Sequence, residues 1–112
     1  MLKKEELPPC PVATAVNLIG NKWKPLIIRD LLNGTQRYKY LQYGIKGISP
    51  KVLTENLKQL EQDGLVKREV FAEVPLRVEY SLTDLGEQMR PVISALAEWG
   101  NTYKNSYKGY NK

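Results

Sequence analysis

The chain has 112 residues, a length that suits one domain built on one apolar core. With 42% hydrophobic and 26% charged residues it reads as globular rather than disordered, and no apolar run approaches the roughly 18 residues of a membrane span. The net charge is +5, but with no histidine and a single cysteine there is no Ser-His-Asp or Cys-His pair, no His-ligated metal, no Cys-rich zinc cluster and no intrachain disulfide. Gly44 and Gly47 lack the strand and helix context of a phosphate-binding loop. These absences argue against an enzyme and imply no cofactor and no metal. The segment Met1-Leu2-Lys3-Lys4-Glu5-Glu6 has no apolar stretch of the signal-peptide kind, so the expected location is the cytoplasm.

In chain order, Pro8-Pro9-Cys10-Pro11 leads into a helix expected to run to about Ile19, with Pro11 in its first turn and Val12, Ala15, Val16 and Ile19 on one face. Gly20-Asn21 interrupts it. A second helix follows, with Pro25 in its first turn and Trp23, Leu26, Ile27, Ile28, Leu31 and Leu32 making it apolar on most sides, as a central core helix is. Asn33-Gly34 closes that helix, and Thr35 is expected to cap a short third one through Tyr38, Leu41 and Gln42, ended by Gly44 to Gly47.

A fourth helix is expected over residues 49–63, opened by Ser49-Pro50 and closed by Asp63-Gly64. Leu53, Leu57 and Leu60 fall at i, i+4 and i+7 and so face the core, which leaves Lys51, Thr54, Glu55, Lys58 and Gln62 outside. Residues 65–71 are rich in β-formers, and Val78, Tyr80 and Leu82 alternate with Arg77, Glu79 and Ser81, so a hairpin turning at Pro75 is expected. Thr83-Asp84 caps a long C-terminal helix carrying Leu85, Met89, Val92, Ile93, Leu96 and Trp99, with a kink or break near Gln88 to Pro91. From Asn101 onward, where Tyr103, Tyr107 and Tyr110 stand among lysines and asparagines, fraying is expected.

A capped helix followed by a β-ribbon is how a winged helix-turn-helix offers one element to a DNA groove and another to the flanking backbone. The fold class is therefore mainly α with a small β-hairpin wing, one domain over residues 1–112, dimerising through its N- and C-terminal helices. Charge agrees in distribution more than in size. Between Gln36 and Gln59, Arg37, Lys39, Lys46, Lys51 and Lys58 face only Glu55.

Several strings are similar to those of HxlR-type transcriptional regulators: Cys10-Pro11-Val12, Ile19-Gly20-Asn21-Lys22-Trp23-Lys24, Gly47-Ile48-Ser49-Pro50-Lys51-Val52-Leu53, Leu60-Glu61-Gln62-Asp63-Gly64-Leu65-Val66, Val74-Pro75-Leu76-Arg77-Val78-Glu79-Tyr80-Ser81-Leu82-Thr83 and Ala97-Glu98-Trp99-Gly100. The resemblance covers residues 10–100, with the motifs in the family's order. It implies a dimeric winged-helix repressor or activator of MarR-like architecture, in a family some of whose members sense quinones, aldehydes or oxidants. Tyr38 stands where that family usually has phenylalanine, which adds a polar tip to the aromatic ring.

On this reading Ser49, Pro50, Lys51 and Thr54, at the start of the fourth helix, are the candidates for base contact, and Lys58 for backbone contact. Arg77, beside the wing turn, and Lys67 on the partner strand are candidates for phosphate or the minor groove, and Arg37 for a phosphate. Each has a plainer alternative: the helix residues as a solvated face, Lys67 and Arg68 paired across the strands with Glu69 and Glu79, Arg37 as a helix cap or a solvated surface charge. Val12, Val16, Ile93, Leu96, Trp99 and Tyr103 are too apolar for lone surface helices and are assigned to a dimer interface, the alternative being packing within one subunit.

Cys10 stands at the start of the first expected helix, just before Pro11. It is the candidate sensor, by an intersubunit disulfide, a mixed disulfide or an adduct with an electrophile; a small packing residue or a merely exposed thiol are the other readings. The partners implied are a pseudo-palindromic DNA duplex, a second copy of the chain, a small electrophile or oxidant, and no membrane. The competing function is a winged helix used as a protein-interaction module, which the lysines on the outer helix face disfavour.

Overall fold

The computed structural model of the chain describes residues 4–106. A single 3-10 turn at Lys4–Glu6 precedes α1 (Pro11–Ile19), α2 (Lys24–Leu31), a two-residue strand β1 (Gln36–Arg37), α3 (Tyr38–Gly44), α4 (Pro50–Gln62), the strands β2 (Val66–Phe71) and β3 (Arg77–Leu82), then α5 (Asp84–Glu87) and α6 (Arg90–Ser106). The architecture is the winged helix-turn-helix expected from the sequence.

Its core is the meeting place of the periodic apolar positions. Ile27, Ile28 and Leu31 of α2, Leu41 of α3, Leu53, Leu57 and Leu60 of α4, and Ile45, Ile48, Leu65, Val66 and Tyr80 form one buried cluster. Both ends of α4 follow from local chemistry. Ser49 Oγ accepts from the Val52 amide at 3.2 Å, and Pro50 occupies the first turn, where its lack of an N–H costs nothing. At the other end Gly64 takes a φ of 79°, its amide donates to Glu61, and the Leu65 amide reaches back to the Leu60 carbonyl at 2.9 Å. This Schellman closure turns Leu65 into the core against Leu60 and starts β2.

Three details differ from expectation. The hairpin is widened to a three-stranded antiparallel sheet in the order β1-β3-β2, with Gln36 opposite Tyr80 and Arg37 opposite Glu79. Because β1 occupies the residues before α3, Arg37, not Thr35, holds the capping position of that helix, and no side-chain cap forms there. The C-terminal helix does break where Pro91 falls, at Gln88 and Met89, leaving the short α5 and the long α6. Thr83 Oγ1 caps α5 by accepting from the Gly86 amide at 3.0 Å, and donates to the Gly64 carbonyl at 2.6 Å. Gly86 is required at this junction, since a β-carbon there would stand 2.2 Å from the Leu65 carbonyl oxygen.

The third correction concerns the end of α6. Helix continues through Asn101 and Tyr103 to Ser106, where fraying was expected. The rings of Trp99 and Tyr103 stack at 5.7 Å, one helical turn apart, which supports the extra turns. Tyr107 and Tyr110 lie outside the described residues. Arg90 ties the start of α6 to the end of α2 by donating to the Leu32 carbonyl at 3.0 Å.

Candidate nucleic-acid interface

The outer face of α4 is the side its leucines leave behind. Lys51, Thr54, Glu55, Lys58 and Gln62 are all exposed, while Leu53, Leu57 and Leu60 are each at most 1% exposed. Among the described residues Arg37, Lys46, Lys51 and Lys58 make no ion pair, so their charges remain available to an anionic partner. Ser49, Pro50 and Lys51 lie together at the α4 N-terminus, the positive end of the helix dipole. Tyr38 is drawn into this corner: its hydroxyl lies 2.8 Å from the Pro50 carbonyl and 3.0 Å from Thr54 Oγ1.

A groove between α4 and the sheet, lined by Thr54, Lys58, Glu61, Gln62, Arg68 and Tyr80, has a volume of about 770 Å³. It brings Arg68 alongside Thr54 and Lys58, a grouping the sequence did not reveal, because it depends on how β2 leaves α4. Lys67, the next residue along, is exposed on the opposite face of the strand.

The wing differs from what its composition suggested. Arg77 donates to Glu73 at 2.7 Å and to Glu79 at 2.6 Å, and its guanidinium lies 3.9 Å from the centre of the Phe71 ring. Its Nε has no hydrogen-bond acceptor among the described residues. The hydrogen bond that Arg77 donates to Glu73, joined by the attraction of both carboxylates, raises its pKa above the usual guanidinium value. Arg77 is therefore engaged inside the wing. The alternative of cross-strand pairs for Lys67 and Arg68 is not met either, because the register sets Lys67 opposite Ser81, Arg68 opposite Tyr80 and Glu69 opposite Glu79. The wing tip instead exposes Val74 and Leu76.

Cys10 occupies the capping position of α1 and is exposed. Its carbonyl accepts from the Thr14 amide and hydroxyl at 3.0 and 3.3 Å. Beside it an apolar groove of about 680 Å³ runs between the N-terminal segment, α1 and α5, lined in part by Leu7, Pro8, Leu18, Leu85 and Met89. Of the residues assigned to a dimer interface, Ile93 packs partly against the core; Val12, Val16, Leu96, Trp99 and Tyr103 are each at least half exposed. Neither α1 nor α6 contains a buried residue.

Sequence reasoning passed over one polar bridge. Asn21 Oδ1 accepts from the amides of Trp23 and Lys24, just ahead of and at the start of α2, while its Nδ2 donates to Asn56 Oδ1 at 2.8 Å. Asn56 Nδ2 in turn donates to the Val52 carbonyl at 2.8 Å. The signal was present: Asn56 falls inside the leucine stripe of α4, where a buried amide requires partners.

Comparison with known proteins agrees with this geometry. The profile of the HxlR-like helix-turn-helix family matches residues 18–108, a span that begins after Cys10. An uncharacterized HTH-type transcriptional regulator of Methanothermobacter thermautotrophicus is 46% identical over 94 residues, covering 84% of this chain and 72% of that protein. A MarR-family regulator from Porphyromonas gingivalis superposes with a TM-score of 0.79 at 42% identity, covering 89% of this chain and 95% of the other. The redox regulator HypR in its reduced form gives a TM-score of 0.83 at 35% identity, covering 90% of this chain and 100% of its own.

Proposed function

Because the chain belongs to the HxlR-like helix-turn-helix family of transcriptional regulators, we propose that it is a homodimeric, sequence-specific DNA-binding repressor switched through Cys10. It is a regulator rather than an enzyme, a single domain over residues 1–112, and acts in the cytoplasm. The observation that carries this reading is the two-sided α4, with its leucines buried and Lys51, Thr54 and Lys58 outside and, among the described residues, free of acidic partners. Ser49, Pro50, Lys51 and Thr54 meet base edges in the major groove, while Lys58, Arg37 and Lys67 meet phosphates. Arg77 holds the wing in shape and reaches DNA only by giving up its carboxylates.

Support for the dimer comes from the exposed apolar positions of α1 and α6, Val12, Val16, Leu96, Trp99 and Tyr103, with Ile93 at their inner edge. A second copy covers them, and a two-fold axis then sets the recognition helices roughly 34 Å apart on a pseudo-palindromic operator. Cys10 immediately precedes the same α1 helix, so chemistry at its thiol acts on the dimer and through it on helix spacing. The likeness to HypR, itself described as a redox regulator, supports an oxidant as the effector. An azo oxidant such as diamide accepts two hydrogens as two thiols join in a disulfide, the second thiol coming from the other subunit or from a small thiol.

A gel-shift experiment on the DNA upstream of the protein's own coding region tests the proposal. Wild type and Cys10→Ser are expected to shift it equally under reducing conditions, and diamide is expected to alter binding by wild type alone. Identical responses of the two proteins to diamide remove Cys10 from the switch.

A further inference from the structure

The protons around the first turns of α3 and α4 can be counted. Tyr38 Oη lies 2.8 Å from the Pro50 carbonyl oxygen and 3.0 Å from Thr54 Oγ1. A carbonyl has no proton to give, and two oxygens at that separation repel unless a hydrogen lies between them. The one phenolic proton of Tyr38 is therefore committed to Pro50. Only lone pairs remain on the phenolic oxygen, so the Thr54 hydroxyl must supply the proton for the second contact. Thr54 then donates inward and offers only an acceptor to whatever meets the exposed face of α4.

A freely rotating threonine hydroxyl serves either kind of base edge and discriminates weakly; one with its proton committed does not. In the major groove adenine and cytosine present amino donors, whereas guanine and thymine present acceptors at the corresponding positions. We propose that Tyr38 is a specificity-determining positioning residue, which fixes Thr54 as an acceptor so that α4 selects adenine or cytosine on the strand Thr54 faces. This rests on the reading that the exposed face of α4 meets base edges.

The test is selection of bound duplexes from a random-sequence pool by the full chain, by Tyr38→Phe and by Thr54→Val, followed by titration of the best duplex and of the same duplex with one base pair inverted. Wild type is expected to favour the amino-bearing base at one position per half-site by about 3- to 10-fold, the weight of one hydrogen bond. Tyr38→Phe is expected to lose that preference at that position only, binding the inverted duplex at least as well as wild type does, with an unchanged melting temperature. Thr54→Val is expected to lose the same preference. A Tyr38→Phe profile identical to wild type overturns the proposal, as does equal weakening on both duplexes, which assigns Tyr38 a purely structural role. A wild-type profile that survives in Thr54→Val overturns it too, yet leaves the DNA-reading helix standing. If wild type selects no sequence at all, the regulator reading fails and the proposal falls with it.

Discussion

From Arg37 to Lys51 the chain carries four cations and no acid, and from Lys67 to Glu79 it carries three of each. In the first region Arg37, Lys46 and Lys51 have no carboxylate partner among the described residues; in the second, Arg77 is gripped by Glu73 and Glu79. Both regions look basic when only their cations are read. The difference is geometric: a helix separates its faces by its period, whereas on a wing the residue across the strand or beyond the turn decides whether a charge is spare. Binding free energy should accordingly reside at the α3–α4 corner, with the wing contributing shape through Arg77 and phosphate contact only through Lys67 and Arg68, which make no ion pair among the described residues.

The largest expected effect concerns what holds α4 in place. Leu57→Ala should lower stability by about 2–5 kcal/mol in urea unfolding, because the side chain is fully enclosed among α2, α4 and the sheet. Next comes Lys51→Ala, which should weaken operator binding by about 1–3 kcal/mol while leaving random DNA less affected, so that discrimination falls. Asn56→Ala should destabilise the fold by about 1 kcal/mol, since it leaves the Asn21 amide without its acceptor.

The two wing variants are the smallest and the most diagnostic. Lys67→Ala should weaken operator and random duplex alike and reduce the slope of log affinity against log salt by about one. Arg77→Ala should leave that slope unchanged, because the guanidinium is already neutralised within the wing. A fall in slope for Arg77→Ala equal to that for Lys67→Ala would erase the contrast between the two regions.

Much of the fold was legible in the sequence because its elements rest on local rules. Pro11, Pro25 and Pro50 mark helix starts, Ser49 and Thr83 cap helices through their hydroxyls, and the leucines of α4 show their face by spacing. What escaped depends on tertiary neighbours. A strand of two residues, Gln36 and Arg37, has no period to detect and exists because β3 offers it an edge. The pairing of Arg77 follows from the shape of the turn that returns Glu73 to it, and the hydrogen bonds of Tyr38 follow from the crossing of α3 and α4. Asn56 is the intermediate case: its place in an apolar stripe was readable, but its partner Asn21 lies 35 residues away.

The exposed face of α4 is expected to read sequence and not merely to attract phosphate. The direct measurement is an equilibrium titration of the full chain against its selected operator and a random duplex of equal length, both at about 0.15 M salt. Operator binding is expected to be tighter by about 10³-fold or more. Equal affinity for the two duplexes would contradict it.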